Sequence, residues 1–477
     1  MVVNEVPRLA VVGGGFCGAA FALHLIRACG RVPLALDIYE PRALLGAGLA
    51  YSSEDPEHRI NVAAARMAVF AEDPTHFDRW FRETGEAARD PAALVADGRA
   101  YPRRAVFGRY VDGLLRTAVK AVPEVALRHL RTRVAEIAPH PAGFRLRAED
   151  GTESAANLVV LSPGHPAPQR LPFVAAEAEA HPRFIADPWR ADALAAIRPD
   201  DAVLIIGTGL TMADIVASLR ARGHAGPITA VSRRGLTPRP RTTLPVEALG
   251  SFDRVPTASA AELLHRVRRA VKAAAAQGRP WECVVDALRQ QGMTVWQALS
   301  PASRRRFLRH LRPWWDAHRY QIAPQLDQVL IENQVRDKLA IVRATVETLR
   351  LHEGRFRAVL LPRGTGGSSR EERHFDAVVN CTGPDQGKVI EKNPLLRSLA
   401  GRGLLRADPL GLGIAVDQQA RVIGSDGRAA RGLFVAGPLA RGTFGELMGL
   451  PQVSTQPERL AQYLADLLGA TDLAATA

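Results

Sequence analysis

Short apolar runs alternate with longer helix-like segments along this chain, and several of the apolar runs end at glycine. The first run, Arg8–Val12, leads into Gly13-Gly14-Gly15-Phe16-Cys17-Gly18, and residues 19–26 then suit a buried helix. A second run, Leu34–Tyr39, ends at Glu40. Runs this short without polar alternation are typical of parallel strands that helices cover on both faces. The order of strand, glycine turn, helix and strand predicts an α/β domain.

The same pattern returns near the middle of the chain. Residues 202–206 are predicted to form a buried strand, residues 214–222 a helix that closes at Gly223, and residues 227–231 the next strand. Further apolar runs at 157–161, 376–380 and 432–436 also end near glycine. Helical runs at 261–276 and 303–315 follow neither pattern.

The first glycine turn has the spacing of a dinucleotide-binding motif, G-x-G-x-x-G, at Gly13, Gly15 and Gly18. The first glycine permits a tight turn, the second lets backbone approach a pyrophosphate, and the third lets the helix pack on the strand. Glu40 stands 22 positions after Gly18, where an acid accepts hydrogen bonds from both ribose hydroxyls of an adenosine. These residues predict an FAD site.

The second turn differs in the residues that follow its strand. Gly207, Gly209 and Thr211 form the predicted turn, and the next strand ends in Ser232-Arg233-Arg234 rather than in an acid. Arginine side chains favour a 2′-phosphate, whereas an acid favours a free 2′-hydroxyl. This turn therefore predicts an NADPH site, to which Ser232, Arg233 and Arg234 belong. The alternative is that the two arginines are solvated loop charges.

The two turns predict an α/β protein with two Rossmann-like dinucleotide-binding domains, one of them split in sequence. We expect residues 1–165 to form the first segment of the FAD-binding domain and residues 386–477 its second segment. Residues 196–385 would form the NADPH-binding domain, with a helical insertion at about 245–336. A chain of 477 residues is long enough for two or three domains.

The predicted insertion contains a basic cluster interleaved with apolar side chains: Arg304, Arg305, Arg306, Arg309, Arg312, Phe307, Leu308, Trp314 and Trp315. One interpretation is a cap over the active site that excludes water or admits an anionic substrate. The other is a solvated helix face with an aromatic core stripe. The sequence leaves both open.

Composition narrows the function classes. No run of about 18 apolar residues occurs, and no basic leader with a cleavage site opens the chain, so neither a membrane span nor a signal peptide is expected. Four scattered cysteines without a C-x-x-C pair fit a reducing cytoplasm. The net charge of +13, mostly arginine, fits the binding of anionic dinucleotides, and no nucleic-acid motif accompanies it. Paired histidines with metal-ligand spacing are also missing.

Longer motifs extend over nearly the whole chain. They are GAGLAYS at 46–52, DPEHRINV at 55–62, PRRAVFGRY at 102–110, GTGLTMAD at 207–214, SRRG at 232–235, LRPWWDAHR at 311–319, the strand at 375–384 and LFVAGP at 433–438. Together they resemble a family of bacterial FAD/NAD(P)-binding proteins. That family is similar, more distantly, to single-component N-hydroxylating flavin monooxygenases of ornithine and lysine. Asn380, Cys381 and Pro384 depart from the strand motif D-x-x-x-(L/F)-A-T-G-Y of those enzymes.

The resemblance implies roles for residues outside the two turns. Gly437 and Pro438 would lie beside the isoalloxazine, Gly383 would follow a strand that ends near the cofactors, and Arg104 would contact a cofactor. Asn61 is the predicted polar contact to the flavin–oxygen adduct, with the capping of a turn as its alternative. Glu446 is the predicted anchor for a substrate cation, with an ion pair to arginine as its alternative.

These features predict a cytoplasmic oxidoreductase in which FAD and NADPH carry the chemistry. The first hypothesis is a single-component monooxygenase that forms a C4a-hydroperoxyflavin and oxidises a small nucleophilic substrate such as an amine. The alternatives are an NADPH:acceptor oxidoreductase without a stable oxygen adduct and a flavin-binding regulatory module without turnover. The expected partners are the substrate and dioxygen; a metal, a membrane and a nucleic acid are not expected. The sequence fixes neither the substrate nor the oligomeric state.

Overall fold

The computed structural model describes residues 6–30, 32–244, 246–364 and 369–469. Its strands are β1 (Arg8–Val12), β2 (Leu34–Tyr39), β3 (Val125–Leu130), β4 (Val134–His140), β5 (Gly143–Ala148), β6 (Glu153–Ala156), β7 (Leu158–Leu161), β8 (Phe184–Ile185), β9 (Val203–Ile206), β10 (Ile228–Ser232), β11 (Leu339–His352), β12 (Arg355–Pro362), β13 (Glu371–Phe375), β14 (Ala377–Asn380), β15 (Arg421–Ile423) and β16 (Ala429–Val435).

The α-helices are α1 (Phe16–Cys29), α2 (His76–Glu83), α3 (Glu86–Arg89), α4 (Arg104–Ala121), α5 (Ala176–Glu179), α6 (Leu210–Ala221), α7 (Ala260–Ala276), α8 (Glu282–Gln290), α9 (Gly292–Ala298), α10 (Pro301–Arg306), α11 (Arg312–Arg319), α12 (Pro324–Val335), α13 (Val389–Lys392), α14 (Pro394–Gly401), α15 (Arg441–Phe444) and α16 (Gln452–Gly469). In the described part of the chain, no helix combines the length and the apolar character needed to cross a membrane.

The first sheet has the strand order β15-β16-β7-β1-β2-β3. All neighbours in it are parallel except β15 and β16. Its central strands β1 and β7 are almost wholly buried, and α1 packs between the sheet and helices α4 and α16. Because β16 and α16 come from the end of the chain, this domain is assembled from two distant segments, which is the split arrangement that the sequence predicts. A small antiparallel sheet, β4-β5-β6, adjoins it.

The second sheet has the order β13-β12-β11-β10-β9-β14-β8. The strands β11, β10, β9, β14 and β8 are parallel, while β12 and β13 form an antiparallel extension. The strand β8 already belongs to this sheet before residue 196, where the domain was expected to begin. The predicted α/β fold class, with two parallel sheets each opened by a glycine turn, is confirmed.

The helical segment between β10 and β11 divides into two parts. Helices α7, α8 and α9 form an apolar core of their own, which includes Leu412 from the C-terminal segment. Helix α12 packs instead on α6 and β11, so it belongs to the layers of the second sheet. Pro245, at which the insertion was expected to begin, lies outside the described residues. A π-helical turn at Phe307–Leu311 interrupts the helix predicted at 303–315.

Candidate functional site

The first glycine turn joins β1 to α1 at the carboxyl edge of the first sheet. Gly13 has φ +104°, and a Cβ there would overlap the carbonyl oxygen of Ser162, which follows β7. A Cβ on Gly18 would overlap the Gly13 carbonyl oxygen. Gly15 faces Gly48, whose Cα would lie 3.4 Å from an added Cβ. The predicted glycines therefore bring backbone, without side chains, to the N-terminus of α1, which suits a pyrophosphate.

Glu40 lies next to this turn, at the end of β2. Its side chain is buried, with the residue 4% exposed. One carboxylate oxygen accepts a hydrogen bond from the Gly14 N–H at 3.2 Å, and the other accepts from the backbone and guanidinium of Arg42, both at 3.1 Å. The acid is thus fixed beside the turn before any nucleotide binds.

The second glycine turn joins β9 to α6. A Cβ on Gly207, which has φ +114°, would overlap the Cys381 carbonyl oxygen, so this turn packs on the residue after β14. Around Gly209, by contrast, a Cβ would meet no atom within 4 Å. Gly209 and Thr211 therefore lie at a helix N-terminus that faces open space. Such an opening can admit a phosphate group.

The loop that follows β10, residues 233–236, lies next to the second turn. The Ser232 hydroxyl oxygen accepts hydrogen bonds from Thr208 Oγ1 at 2.9 Å and from the Gly235 N–H at 3.0 Å. Ser232 therefore holds the loop against the second turn. Arg233 is exposed and Arg234 is half-buried, and among the described residues no carboxylate pairs with either of them.

The turn after β16 lies against the start of α1. A Cβ on Gly437 would stand 2.5 Å from the Cys17 sulfur, and the Gly437 N–H donates to Gln456 Oε1 at 2.8 Å. Burial raises the pKa of the Cys17 thiol to about 12, so the thiol stays neutral. Pro438 follows in this turn. In the second sheet, Gly383 follows β14 with φ +80° and open space around it.

The two predicted catalytic residues already have protein partners. The Asn61 side-chain Nδ2 donates to the Gln321 backbone carbonyl oxygen at 3.2 Å. The Asn61 backbone carbonyl oxygen accepts from Arg241 Nε at 2.8 Å. The Glu446 carboxylate accepts from Arg319 Nε at 2.5 Å. For Glu446 this is the ion pair that the sequence allowed as the alternative to a substrate anchor.

Arg104 connects the two sheets' domains. Its guanidinium donates to Asp214 Oδ2 in α6 at 2.7 Å and to the Arg59 carbonyl oxygen at 3.0 Å. Asp214 is 1% exposed, and burial raises its pKa despite the adjacent Arg104 charge. The predicted direct contact between Arg104 and a cofactor stays a prediction. The contact that the structure contains is the interdomain ion pair between Arg104 and Asp214.

The helical insertion and the C-terminal segment enclose a cavity of about 120 Å³. Its aromatic walls come from Trp296, Phe307, Trp315 and Tyr320. Four charged residues also line it, namely Arg312, Asp316, Arg441 and Glu446. The π-helical turn contributes Phe307, and irregular turns of this kind are frequent at functional sites. The insertion, here called the cap, therefore forms part of the wall of this cavity, while Arg305, Arg306 and Arg309 of its basic cluster are exposed.

Three basic residues of this region were not among the predicted site residues. Arg241 bridges Asn61 and Gln321, and burial lowers its pKa to about 10. Arg441 follows β16, and His165 follows β7 at the same sheet edge. His165 keeps contact with solvent, but the protein around it and the nearby Arg441 charge lower its pKa to about 4. Position just beyond a strand-ending glycine was the signal available for His165 and Arg441.

A family model described as FAD-NAD(P)-binding matches residues 10–166. This part of the chain is similar to that family. The match confirms the resemblance seen in the motifs, and it covers the first glycine turn, Glu40, Asn61 and Arg104. No curated protein matches the chain by sequence.

Solved structures with a similar fold include three amino-acid hydroxylases. Ornithine hydroxylase PvdA from Pseudomonas aeruginosa, in its reduced form, aligns with TM-score 0.64 and 17% identity over 97% of this chain and 100% of that one. Ornithine N-hydroxylase KtzI from Kutzneria sp. 744, with reduced FAD, NADP⁺ and L-ornithine, aligns with TM-score 0.63 and 15% identity over the same shares. L-lysine 6-monooxygenase from Pseudomonas syringae aligns with TM-score 0.60 and 20% identity over 98% and 99%.

The FAD-NAD(P)-binding domain and the second turn fit the predicted cofactors on structural grounds. The first turn offers side-chain-free backbone next to a buried acid, as an adenosine diphosphate group requires. The second turn offers an open helix N-terminus next to two arginines that have no carboxylate partner among the described residues, as a phosphorylated dinucleotide requires. Within the described residues, no group of three or more His, Cys, Asp or Glu side chains is placed to hold a metal ion.

Proposed function

We propose that this protein is an FAD-dependent, NADPH-using oxidoreductase, and more specifically a single-component monooxygenase that acts on a small nucleophilic substrate. The observation that carries the proposal is the pair of glycine turns within one chain. One turn adjoins the buried acid Glu40, and the other adjoins Arg233 and Arg234, which have no carboxylate partner among the described residues. Bound FAD would accept electrons from NADPH and pass them to dioxygen. Three of the similar solved structures are enzymes named for ornithine or lysine, which supports an amine as the substrate class.

In this proposal the first turn and Glu40 hold the adenosine end of FAD, while Gly437 and Pro438 support its ring end. The close approach of Gly437 to Cys17 ties the C-terminal turn to the helix that receives the pyrophosphate. Gly207, Gly209, Thr211 and Gly383 border the NADPH site. The loop fixed by Ser232 presents Arg233 and Arg234 to the 2′-phosphate.

The protein's own contribution to oxygen chemistry is a shielded polar site. Asn61 and Arg241 are bonded to each other and to Gln321, which comes from the segment that follows the cap. This arrangement fixes the Asn61 amide in place rather than leaving it free to reorient. A hydrogen-bonding group that is held in place costs little reorganisation when charge develops beside it.

The ion pair between Arg104 and Asp214 keeps the two domains in a fixed relative position, so that a bound nicotinamide can reach a bound flavin. The contact lies at the start of α4 and within α6, the helix that follows the second turn. We therefore assign Arg104 a positioning role for the NADPH-binding domain.

Rapid mixing of the purified flavoprotein tests the proposal. The enzyme is first reduced anaerobically with NADPH and then mixed with oxygenated buffer while near-ultraviolet and visible absorbance are recorded. A monooxygenase gives a lasting near-ultraviolet species before oxidised flavin returns, and an amine substrate shortens its lifetime. Direct return of oxidised flavin would favour an NADPH:acceptor oxidoreductase, and failure of NADPH to reduce the flavin would leave the regulatory module.

A further inference from the structure

Among the described residues, the buried arginines are paired with carboxylates, with one exception. The four buried arginines among the described residues are Arg59, Arg289, Arg319 and Arg441. Arg59 pairs with Asp90 at 3.0 Å, Arg289 with Asp286 at 3.6 Å and Arg319 with Glu446. Arg441 is 5% exposed and has no carboxylate oxygen within 4.0 Å in the described part of the chain. A buried cation without a counter-charge is costly, and an anionic ligand removes that cost.

The guanidinium of Arg441 is also incompletely hydrogen-bonded. Its Nε donates to the Leu412 carbonyl oxygen at 3.3 Å, whereas its Nη2 has no partner among the described residues. Burial lowers the pKa of Arg441 to about 10, which still leaves the side chain charged at neutral pH. Arg441 therefore retains donor capacity that no other side chain uses.

Arg441 lines the cavity of about 120 Å³ under the cap. The walls of this cavity are mostly apolar: Trp296, Leu299, Phe307, Trp315, Tyr320 and Leu412. A protein cavity of about 150 Å³ with such walls accommodates benzene. At about 120 Å³ this cavity is slightly smaller, so about one ring is the largest apolar body that it can take.

The acids of the cavity wall are already neutralised. Asp316 pairs with Arg312 at 3.3 Å, and Glu446 pairs with Arg319. Burial raises the pKa of Asp316, which further weakens it as a partner for a ligand cation. Among the described charged residues of the wall, Arg441 is therefore the one without an oppositely charged partner. For this reason the wall favours an anion over an ammonium group.

We propose that this cavity binds a small carboxylate with an apolar body of about one ring, whose carboxylate group is received by Arg441. This inference goes beyond the proposed function and does not depend on it. The carboxylate-binding site itself stands on the cavity and on Arg441. It differs from a basic amino-acid site, because Asp316 and Glu446, the two acids among the described lining residues, already pair with arginines.

Calorimetric titration of the flavin-loaded protein with benzoate, benzylamine and L-ornithine tests the proposal. Benzoate is expected to bind at least about tenfold more tightly than benzylamine or L-ornithine, since charge-assisted hydrogen bonds to arginine are strong. Tighter binding of either amine than of benzoate would overturn the proposal, as would absence of benzoate binding.

Substitutions at two positions, Arg441 and Leu308, assign the site. Arg441→Met should weaken benzoate binding at least about tenfold, with Arg441→Lys between it and the unaltered protein. Leu308→Trp, which fills the cavity from the π-helical turn, should weaken benzoate binding while Arg441 remains. Arg309→Met, an exposed arginine of the same cap, is the matched control and should change nothing.

The flavin content of each variant separates a ligand role from a cofactor role. If Arg441→Met loses FAD while its flavin-loaded fraction binds benzoate normally, Arg441 serves the cofactor and the proposal is wrong. Where Arg441→Met does not fold, Leu308→Trp decides alone: unchanged benzoate binding would refute the cavity assignment. NADPH reduction of the same samples reports on the proposed function independently of benzoate binding.

Discussion

The two glycine turns occupy equivalent places in two parallel sheets, yet the charged residues beside them differ in sign, in burial and in their protein partners. At the first turn the acid Glu40 is buried, and both of its oxygens already accept hydrogen bonds from Gly14 and Arg42. At the second turn Arg233 and Arg234 are on the surface side of the loop without carboxylate partners in the described part of the chain. The first site is preorganised for its ligand, whereas the second keeps its charges available.

This difference matches two kinds of coenzyme binding. A preorganised site loses little conformational freedom when the ligand binds, which favours a tightly held cofactor. A site with solvated arginines gains electrostatic attraction and rapid exchange, which favours a diffusible coenzyme that must enter and leave each turn of the reaction. The contrast therefore supports a resident FAD and an exchanging NADPH in the proposed function.

The largest expected effect comes from placing an acid in each turn separately. Gly15→Asp should abolish FAD binding, because its carboxylate would meet the pyrophosphate at the helix N-terminus. Gly209→Asp should leave FAD bound and block reduction by NADPH. The ratio of flavin to protein absorbance and the rate of NADPH-driven bleaching measure the two outcomes. Loss of FAD from both variants would show that the two turns are not independent sites.

The link between the two regions gives the next largest effect. Arg104→Ala leaves Asp214 buried without its ion pair, and breaking a buried pair costs about 3 kcal/mol. Denaturant unfolding should show this loss, together with slower flavin reduction by NADPH. Arg116→Ala removes an exposed partner of Asp112 and should cost less than about 1 kcal/mol. Equal losses in the two variants would contradict the interdomain role.

The local part of this architecture follows from the sequence because its causes are local. The turn after Val12 needs glycines wherever backbone packs on backbone, so their spacing alone locates β1 and α1. The same reasoning finds the second turn and the helix that ends before Gly223, where φ is +83°. These features depend on neighbours only a few residues away.

The rest depends on contacts between distant residues. Arg104 and Asp214 are 110 positions apart, and no periodicity links them. The predicted insertion at about 245–336 includes the residues of α12, although this helix packs on α6 and β11. The cavity arises only where α7 to α11 meet the segment after β16. A basic cluster likewise gives no indication of which arginine is left without a counter-charge.

The arginines of the second turn give a smaller and more selective effect. Replacing Arg233 and Arg234 together by Ala should raise the KM for NADPH at least about tenfold, because the 2′-phosphate loses its charged partners. The KM for NADH should change less than about threefold. Steady-state reduction assays with both coenzymes measure the ratio. An unchanged coenzyme preference would mean that the two arginines are solvated loop charges and that the contrast between the turns is not functional.

The smallest expected effect concerns the pH dependence of the interface between the two domains. His58 is buried there, with Ser53 Oγ 2.6 Å from Nδ1 and Ser218 Oγ 3.1 Å from Nε2. Burial lowers the pKa of His58 below its ordinary value, and the charged groups around it are Asp214, Arg104, Asp55 and Arg222.

Because the pKa of His58 is lower in the folded state, the unfolded chain takes up this proton first as the pH falls below about 6.5. The stability contributed by neutral His58 is therefore present above that pH and lost below it. His58→Gln should reduce the fall in Tm between pH 7.5 and pH 5.5 relative to the unaltered protein, whereas His310→Gln, at an exposed position, should not. An equal fall in all three proteins would place the acid sensitivity elsewhere than between the two domains.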